Sequence, residues 1–325
     1  KKLPWHMIYG NTESTARTAL IDLLQEQFVP PFLNYTSELD AALRPATGES
    51  WQSLKEFSQR HLDHDFMEAP VLHRARVKPL GYPGDFEIMR YIYGLHFEGA
   101  SLFAKAVHLA AVMTPVSVAV RGRIGVLKNE IHRTIERAKG QSGPVRIASV
   151  ACGPAIELVE WLSMEDDIPV DCELVLFDQD RQALTCVYTR LKSIIESRFN
   201  GRVKVTYLFD SIRRLLKDPT LFGAKPVFDF IYCSGLFDYL QVKTAVPLIN
   251  SLEQNLASGG HLLVGNMAPS NTSRWIMEHH LDWNLIYRTP ETMVDIARTA
   301  VPDAAEINTI SEPTGINPFV HLRRA

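Results

Sequence analysis

The sequence predicts an α/β protein in which an all-helical N-terminal region precedes an open, mostly parallel sheet with helices on both faces. Three observations carry this expectation. From about residue 11 to residue 140 the apolar residues follow helical spacing. After Pro144 short β-rich apolar runs alternate with helical stretches, and five such alternations imply a doubly covered parallel sheet. The last two β-rich runs are separated only by the turn from Gly315 to Pro318, so they are expected to pair as an antiparallel hairpin at one edge.

Each element has its own signal. Ala16, Leu20, Leu23 and Leu24 mark a first amphipathic helix. Ser50 is placed to cap a second, which carries Leu54, Phe57, Leu62 and Phe66. Asp85 caps a third, from Phe86 to Tyr93, stopped by Gly94. Thr114-Pro115 opens a long helix ending near Lys139-Gly140, because proline suits the first helical position. The conspicuous loop of this half is VKPLGYPGD at 77–85. The strands are VRIASV (145–150), CELVLF (172–177), VKVTYL (203–208), VFDFIY (227–232), HLLVGN (261–266), AEINTI (305–310) and PFVHLRR (318–324). Helical patterns fill 155–165, 181–198, 212–217, 242–257, 272–280 and 290–300. The chain therefore divides into a helical region, 7–140, and a sheet domain, 141–325; residues 1–6 read as a cloning scar ahead of Met7.

Composition narrows the function classes. The 325 residues are 46% hydrophobic and 22% charged, as in ordinary globular proteins. A net charge of −3 offers no footprint for a polyanion, so no nucleic-acid partner is expected. No apolar run approaches the ~20 residues that cross a bilayer, and no signal-peptide layout is visible. No membrane partner and a cytoplasmic location are the corresponding expectations. Cys152, Cys172, Cys186 and Cys233 form no CxxC pair and no zinc-ligand spacing. They read as buried, reduced thiols, and no metal is expected. The apolar stretch 102–113 is a candidate for cap core or for the face of a homodimer.

In open α/β sheets ligands bind beyond the carboxyl ends of the strands, where the strand order reverses. After the first strand, Ala151-Cys152-Gly153-Pro154-Ala155 is a tight small-residue turn that lets a ligand approach backbone and a helix N-terminus. After the second come Asp178, Gln179 and Asp180; a carboxylate at Asp178 can accept both hydroxyls of a ribose, and Asp180 is placed to cap the next helix. After the third come Asp210, Ser211 and Ile212, where Asp210 sits at an expected helix cap. After the fourth come Ser234 and Gly235, then Asp238 and Tyr239, whose carboxylate and hydroxyl are able to steer a cation, though Asp238 can equally cap and Tyr239 pack beneath a loop. The fifth ends in Gly265-Asn266-Met267.

Taken in order, these motifs resemble those of the class I S-adenosylmethionine (SAM)-dependent methyltransferases. Ala151–Ala155 resembles their glycine-rich first motif, with alanine at 151 and 155 where glycine is usual, and Ser149 where an acidic residue is common. The run SGGHLLV resembles their LxxGGxL segment. The resemblance implies a Rossmann-like sheet of seven strands with the last inserted antiparallel, covered by an N-terminal helical cap. It also implies SAM as cofactor and an enzyme acting on a small molecule. Ala151, Cys152, Gly153, Pro154, Asp178, Gln179, Asp210, Ser211, Ile212, Ser234 and Gly235 would then bind SAM. Ser234, Asp238 and Tyr239 would lie at the reaction centre.

Three further segments resemble a bacterial subset related to the methyltransferase that makes 3-hydroxy fatty acid methyl ester signals. They are KPLGYPGDFEIM at 78–89, CSGLFDYL at 233–240 and LDWNLIYRTPETM at 281–293, followed by NPFVHLRR. Gly81, Pro83 and Gly84 fix a preorganised loop that would present Tyr82 and Asp85 to ligand. Tyr82 is thus assigned to cofactor and substrate, and Asp85, Tyr239 and Asn266 to substrate. Arg121 and Arg123 on the long helix can hold the SAM carboxylate or an acidic acceptor, Arg123 being the choice for the cofactor. None of the 11 histidines falls in a motif that marks a general base. The expected reaction is methyl transfer to the carboxylate of a hydroxy (fatty) acid. Two alternatives stay open. One is attack by the amine of SAM on its own carbon chain, giving azetidine-2-carboxylate and methylthioadenosine, with Ser234, Tyr207 or Asn266 around the amine. The other is a non-catalytic SAM-binding protein.

Overall fold

The computed structural model describes residues 14–222 and 228–325. The reading of residues 1–6 as a cloning scar lies outside the described residues. The chain forms two compact units: residues 1–118 with 271–284, and residues 119–270 with 285–325.

The first unit is helical. Its helices are α1 (Ser14–Gln27), α2 (Val29–Leu43), α3 (Gly48–Phe66), α4 (Pro70–Val77), α5 (Phe86–Tyr93) and α6 (Leu102–Val112). Asp85 caps α5 as expected, accepting from the backbone N–H groups of Glu87 and Ile88 at 3.1 Å. The cap of α3 differs: Thr47 holds the N-cap position, and Ser50 answers from the third helical position with its hydroxyl 3.3 Å from the Thr47 N–H. Gly48 lengthens that helix by two residues beyond the serine. Helix α6 is buried from Ala106 to Val112, which makes this apolar stretch core of the helical unit.

The long helix α7 (Pro115–Arg137) starts at its proline, and the division between the units falls within it, after Val118. Sequence rhythm placed that boundary at 140, where helical spacing stops. The helical unit also takes back residues 271–284, which contain a π-helical turn, Trp275–His280. Asp40 Oδ1 accepts from the Trp275 N–H at 2.9 Å, and Lys55 and Lys78 both reach Asp282, at 2.6 and 2.7 Å. No single described helix is long and apolar enough to cross a membrane; α6 and α7 pass that test only as a pair bent by 55°.

The second unit holds the sheet: β1 (Val145–Val150), β2 (Cys172–Asp178), β3 (Val203–Phe209), β4 (Phe228–Cys233), β5 (Leu256–Gly265), β6 (Glu306–Ser311) and β7 (Pro318–Arg323). Its order is β3-β2-β1-β4-β5-β7-β6, with β1 to β5 parallel and β7 antiparallel to both neighbours. This is the seven-stranded sheet with an antiparallel final strand that the sequence predicts. Strands β1 and β4 are buried on both faces and so read as continuous apolar runs. One face packs Ile147, Leu174, Phe230 and Leu263 against α7, α8 (Ile156–Met164) and α9 (Arg181–Arg198). The other packs Ala148, Phe177, Ile231 and Val264 against α10 (Ile212–Lys217), α11 (Val242–Glu253) and α12 (Pro290–Ala300). Strand β5 begins five residues earlier than its sequence signal, beyond a register shift opposite Phe228–Phe230. Backbone pairing there does not need apolar side chains.

Candidate ligand site at the switch point

The strand order reverses between β1 and β4, so a cleft is expected beyond their carboxyl ends. The turn after β1 holds three residues in the left-handed region: Ala151 at φ 53°, Gly153 at 52° and Ala155 at 42°. The two alanines therefore adopt a left-handed conformation that favours glycine, at some strain. A Cβ built on Gly153 would meet nothing within 4 Å. The space over this backbone is open to a ligand.

Asp178, at the end of β2, is fixed beside that opening. Its Oδ2 accepts from the Gly153 N–H and its Oδ1 from the Asp180 N–H, both at 2.8 Å. Each carboxylate oxygen keeps a further lone pair for a ligand hydroxyl. Burial raises the Asp178 pKa, and the two backbone donors oppose that rise. Asp180 caps α9 as expected, accepting from Gln182 at 2.8 Å, and Gln179 is exposed. At the end of β3, Asp210 accepts from the Ser211 N–H at 2.8 Å and pairs with Arg214 at 3.0 Å. Ser211, not Asp210, holds the N-cap position of α10, which leaves Ile212 in its first turn.

Arg123 lies on α7 and is 5% exposed. Its Nη1 donates to the Ser234 carbonyl at 3.1 Å, at the very end of β4. A Cβ on Gly235 would stand 3.4 Å from the same nitrogen, in ordinary contact, so the guanidinium lies directly against this turn. Arg123 also favours the charged forms of Glu157 and Asp238. Sequence reasoning missed Glu157. It is buried in the first turn of α8, accepts from the Tyr232 hydroxyl at 2.8 Å, and has its pKa raised by burial. An acidic residue one turn into a helix looks like ordinary dipole complementation, so its sequence carries no sign of this role. Cys152, Cys172 and Cys233 are buried, with thiols pushed up, the last two to about 12, so they stay protonated. Cys186 is half-buried.

The residues beyond β4 and β5 form a closed net. Asp238 is 3% exposed; its Oδ1 accepts from the Met267 N–H at 2.6 Å and its carbonyl from the Ile286 N–H at 2.7 Å. Burial pushes its carboxyl up to about 6. Tyr239 is half-buried in a single 3₁₀ turn, Phe237–Tyr239. Asn266, expected to face an acceptor, is instead fully buried: its amide donates to the Met267 and Ile286 carbonyls at 2.9 Å, and Oδ1 accepts from Arg288 at 2.6 Å. Arg288, which sequence reasoning missed, also donates to the Phe237 carbonyl at 2.8 Å and to that of Leu240. It sits in the segment 281–293 that carried the narrower resemblance.

In the helical unit, Tyr82 is half-buried in its loop, where Gly81 takes φ 86° and donates to the Lys78 carbonyl at 2.8 Å. Asp85, expected to face substrate, is 1% exposed and holds Arg74 Nε with both carboxylate oxygens, at 2.9 and 2.8 Å. Together with its capping bonds this makes Asp85 the anchor of the loop.

No protein-family model and no curated protein sequence matches the chain. Solved structures do. A Bordetella parapertussis protein described as a possible exported protein aligns over 96% of this chain and 99% of its own, with a TM-score of 0.56 at 16% identity. Magnesium protoporphyrin IX methyltransferase from Synechocystis PCC 6803 covers 78% of this chain and 100% of its own, with a TM-score of 0.49 at 13% identity. The carbon methyltransferase CurJ covers 78% and 70%, with a TM-score of 0.47 at 12% identity. At 16% identity the likeness to the Bordetella protein is one of fold.

Proposed function

We propose that the chain is a SAM-dependent enzyme that transfers a methyl group to a small-molecule acceptor, the carboxylate of a hydroxy (fatty) acid. The observation that carries this reading is the presence of two buried groups of opposite charge at the ends of strands on either side of the switch point. The Arg123 guanidinium lies at the end of β4, and the Asp178 carboxylate lies at the end of β2 beside the open backbone of Gly153. A zwitterionic nucleoside needs such a pair. Arg123 suits its α-carboxylate by bidentate hydrogen bonding, and Asp178 suits its ribose hydroxyls. Asp210 and the N–H of Ile212 suit the adenine edge, and Ser234 and Gly235 the methionine part. Half-buried Arg121 and Tyr239 are the candidates for the acceptor.

When bound, SAM supplies an electrophilic methyl group on its sulfonium. A carboxylate acceptor needs no base, only alignment with the S–CH₃ bond in a site from which water is excluded. The inert thiols and the absence of a motif-borne histidine base agree with that demand. The test is mass spectrometry of the protein incubated with SAM, with and without hydroxy acids and amines. S-adenosylhomocysteine and a methyl ester appearing only with a hydroxy acid are the expected products. Methylthioadenosine without any acceptor would make SAM itself the substrate and sink the methyl-transfer reading.

A further inference from the structure

We propose that Glu130, His261 and His321 form a binding site for a transition-metal dication of the zinc or cobalt class, clamping α7 to the antiparallel edge of the sheet. Glu130 lies on α7, His261 on β5 and His321 on β7. In the β5–β7 register Leu263 stands opposite His321, so His261, two residues from Leu263, shares its face. That face is the one α7 covers. One ligand atom from each of the three residues lies within 4.8 Å of the others. Glu130 and His261 are 3% and 2% exposed, and His321 is half-buried.

The hydrogen bonds around the three residues suit a metal. Two imidazoles and one carboxylate converge here from three separate elements, each with a ligand atom turned to the others. Nε2 of His321 is buried with no hydrogen-bond partner. Nε2 of His261 lies 3.2 Å from the Thr134 hydroxyl, which donates to the Glu130 carbonyl at 2.7 Å. The Thr134 oxygen therefore accepts from His261, which fixes the proton on Nε2 and leaves the Nδ1 lone pair for a cation. Metal-bound histidines are held in this way by a hydrogen bond from their other nitrogen. Two cations already stand there. Arg137 donates to His261 Nδ1 at 3.1 Å, and Arg133 pairs with Glu130 at 2.5 Å. Both arginines are exposed, so each can swing out to solvent and yield its place. Glu306 is the other carboxylate acting on His321. Two nitrogens and one carboxylate favour zinc, cobalt or nickel over magnesium or calcium, which take oxygen ligands. Three protein ligands leave a fourth position for water. The residues are scattered over the chain, so no ligand spacing is visible in the sequence.

The test is titration of the metal-stripped full chain with Co²⁺, followed by visible d–d absorption and calorimetry, with zinc as competitor. One equivalent is expected to bind, with the spectrum of a low-coordinate nitrogen–oxygen site. His321→Ala and Glu130→Gln are expected to weaken it by about 100-fold, whereas His132→Ala, an exposed neighbour on α7, changes nothing. Arg137→Ala is expected to tighten binding by removing the competing cation, and it keeps the proposal testable should the ligand variants fail to fold. Unchanged affinity in folded His321→Ala, a sulfur charge-transfer band, no saturable binding, or weaker binding in Arg137→Ala would each overturn it.

Discussion

The two halves of the sheet's carboxyl edge are built on opposite plans. At the β1–β2 half, a carboxylate is held by backbone N–H groups next to open space over Gly153. At the β4–β5 half, Asp238, Asn266 and Arg288 are buried and joined to each other's loops by hydrogen bonds that leave little for a ligand. The first half leaves open space beside its carboxylate, and the second uses its polar groups to hold its loops. Arg123 belongs to both, because it reaches the end of β4 and its charge acts on Asp238. Buried polar residues at a ligand edge are thus not all ligand contacts; the distinction lies in whether their lone pairs and protons are already taken.

The largest effect should come from breaking the closed half. Arg288→Met leaves the Phe237 and Leu240 carbonyls and Asn266 Oδ1 buried without their donor. A buried acceptor left without its donor costs about 1–3 kcal/mol, and three acceptors lose theirs here. Chemical denaturation should show a loss of that order, and a loss below ~1 kcal/mol would mean that water takes over these acceptors.

The open half should respond in binding more than in stability. Arg123→Met removes the cation proposed for the SAM carboxylate. A hydrogen bond to a charged group contributes about 1.5–3 kcal/mol, so SAM affinity should fall by about 10–100-fold in calorimetry. Arg123→Lys, which keeps the charge without the fork, should recover part of it. Equal SAM affinity in wild type and the Met variant would move the carboxylate site elsewhere.

The two halves also differ in how far the sequence revealed them. The alternation of strands and helices and the antiparallel pairing of β6 with β7 follow from periodicity and from the short turn before Pro318, whereas the strand order enters only with the fold. Asp178 and Gly153 are legible because a ligand-edge turn requires their types at fixed positions after a strand. Arg288, Glu157 and the buried state of Asn266 are not legible, because their partners lie in loops far away in the chain. Residues 271–284 are misleading for the same reason: their helical pattern is real, but their return to the helical unit depends on Asp40 and Lys55. A reading along the chain sees elements and the residues that follow them, whereas long-range hydrogen bonds enter only with the fold.

Acidity offers a milder probe of the closed half. Burial raises Asp238 from 3.8 to about 6, against the pull of the Met267 N–H, Arg123 and Arg288. The folded state therefore holds this proton more tightly than the unfolded chain. Its contribution is complete below the unfolded value of 3.8 and is lost as pH rises through about 6. Relative to Asp238→Asn, the wild type should lose about 2 kcal/mol between pH 4 and 7. The buried histidines act with the opposite sign. His108 and His280 are lowered to about 4 by burial, so their contribution is present above 6.5 and lost as pH falls toward 4. Because both proteins share those histidines, the difference between their profiles isolates Asp238, and parallel profiles would show that its carboxyl reaches water.

The smallest change in stability should reveal most about the open half. Gly153→Ala introduces a methyl group at φ 52°, where an L residue costs about 1–2 kcal/mol, but no atom lies within 4 Å to clash with it. Ala151 and Ala155 already sit in this region, so the turn demonstrably accepts the conformation. Unfolding free energy should therefore fall by only about 1 kcal/mol. The new methyl group would occupy the space where a ligand is proposed to approach the backbone, so SAM affinity should fall by more than the stability change implies. Matched, small losses in both would mean that the opening over Gly153 is turn geometry alone, and the contrast between the two halves of the edge would then rest on Asp178 and Arg123.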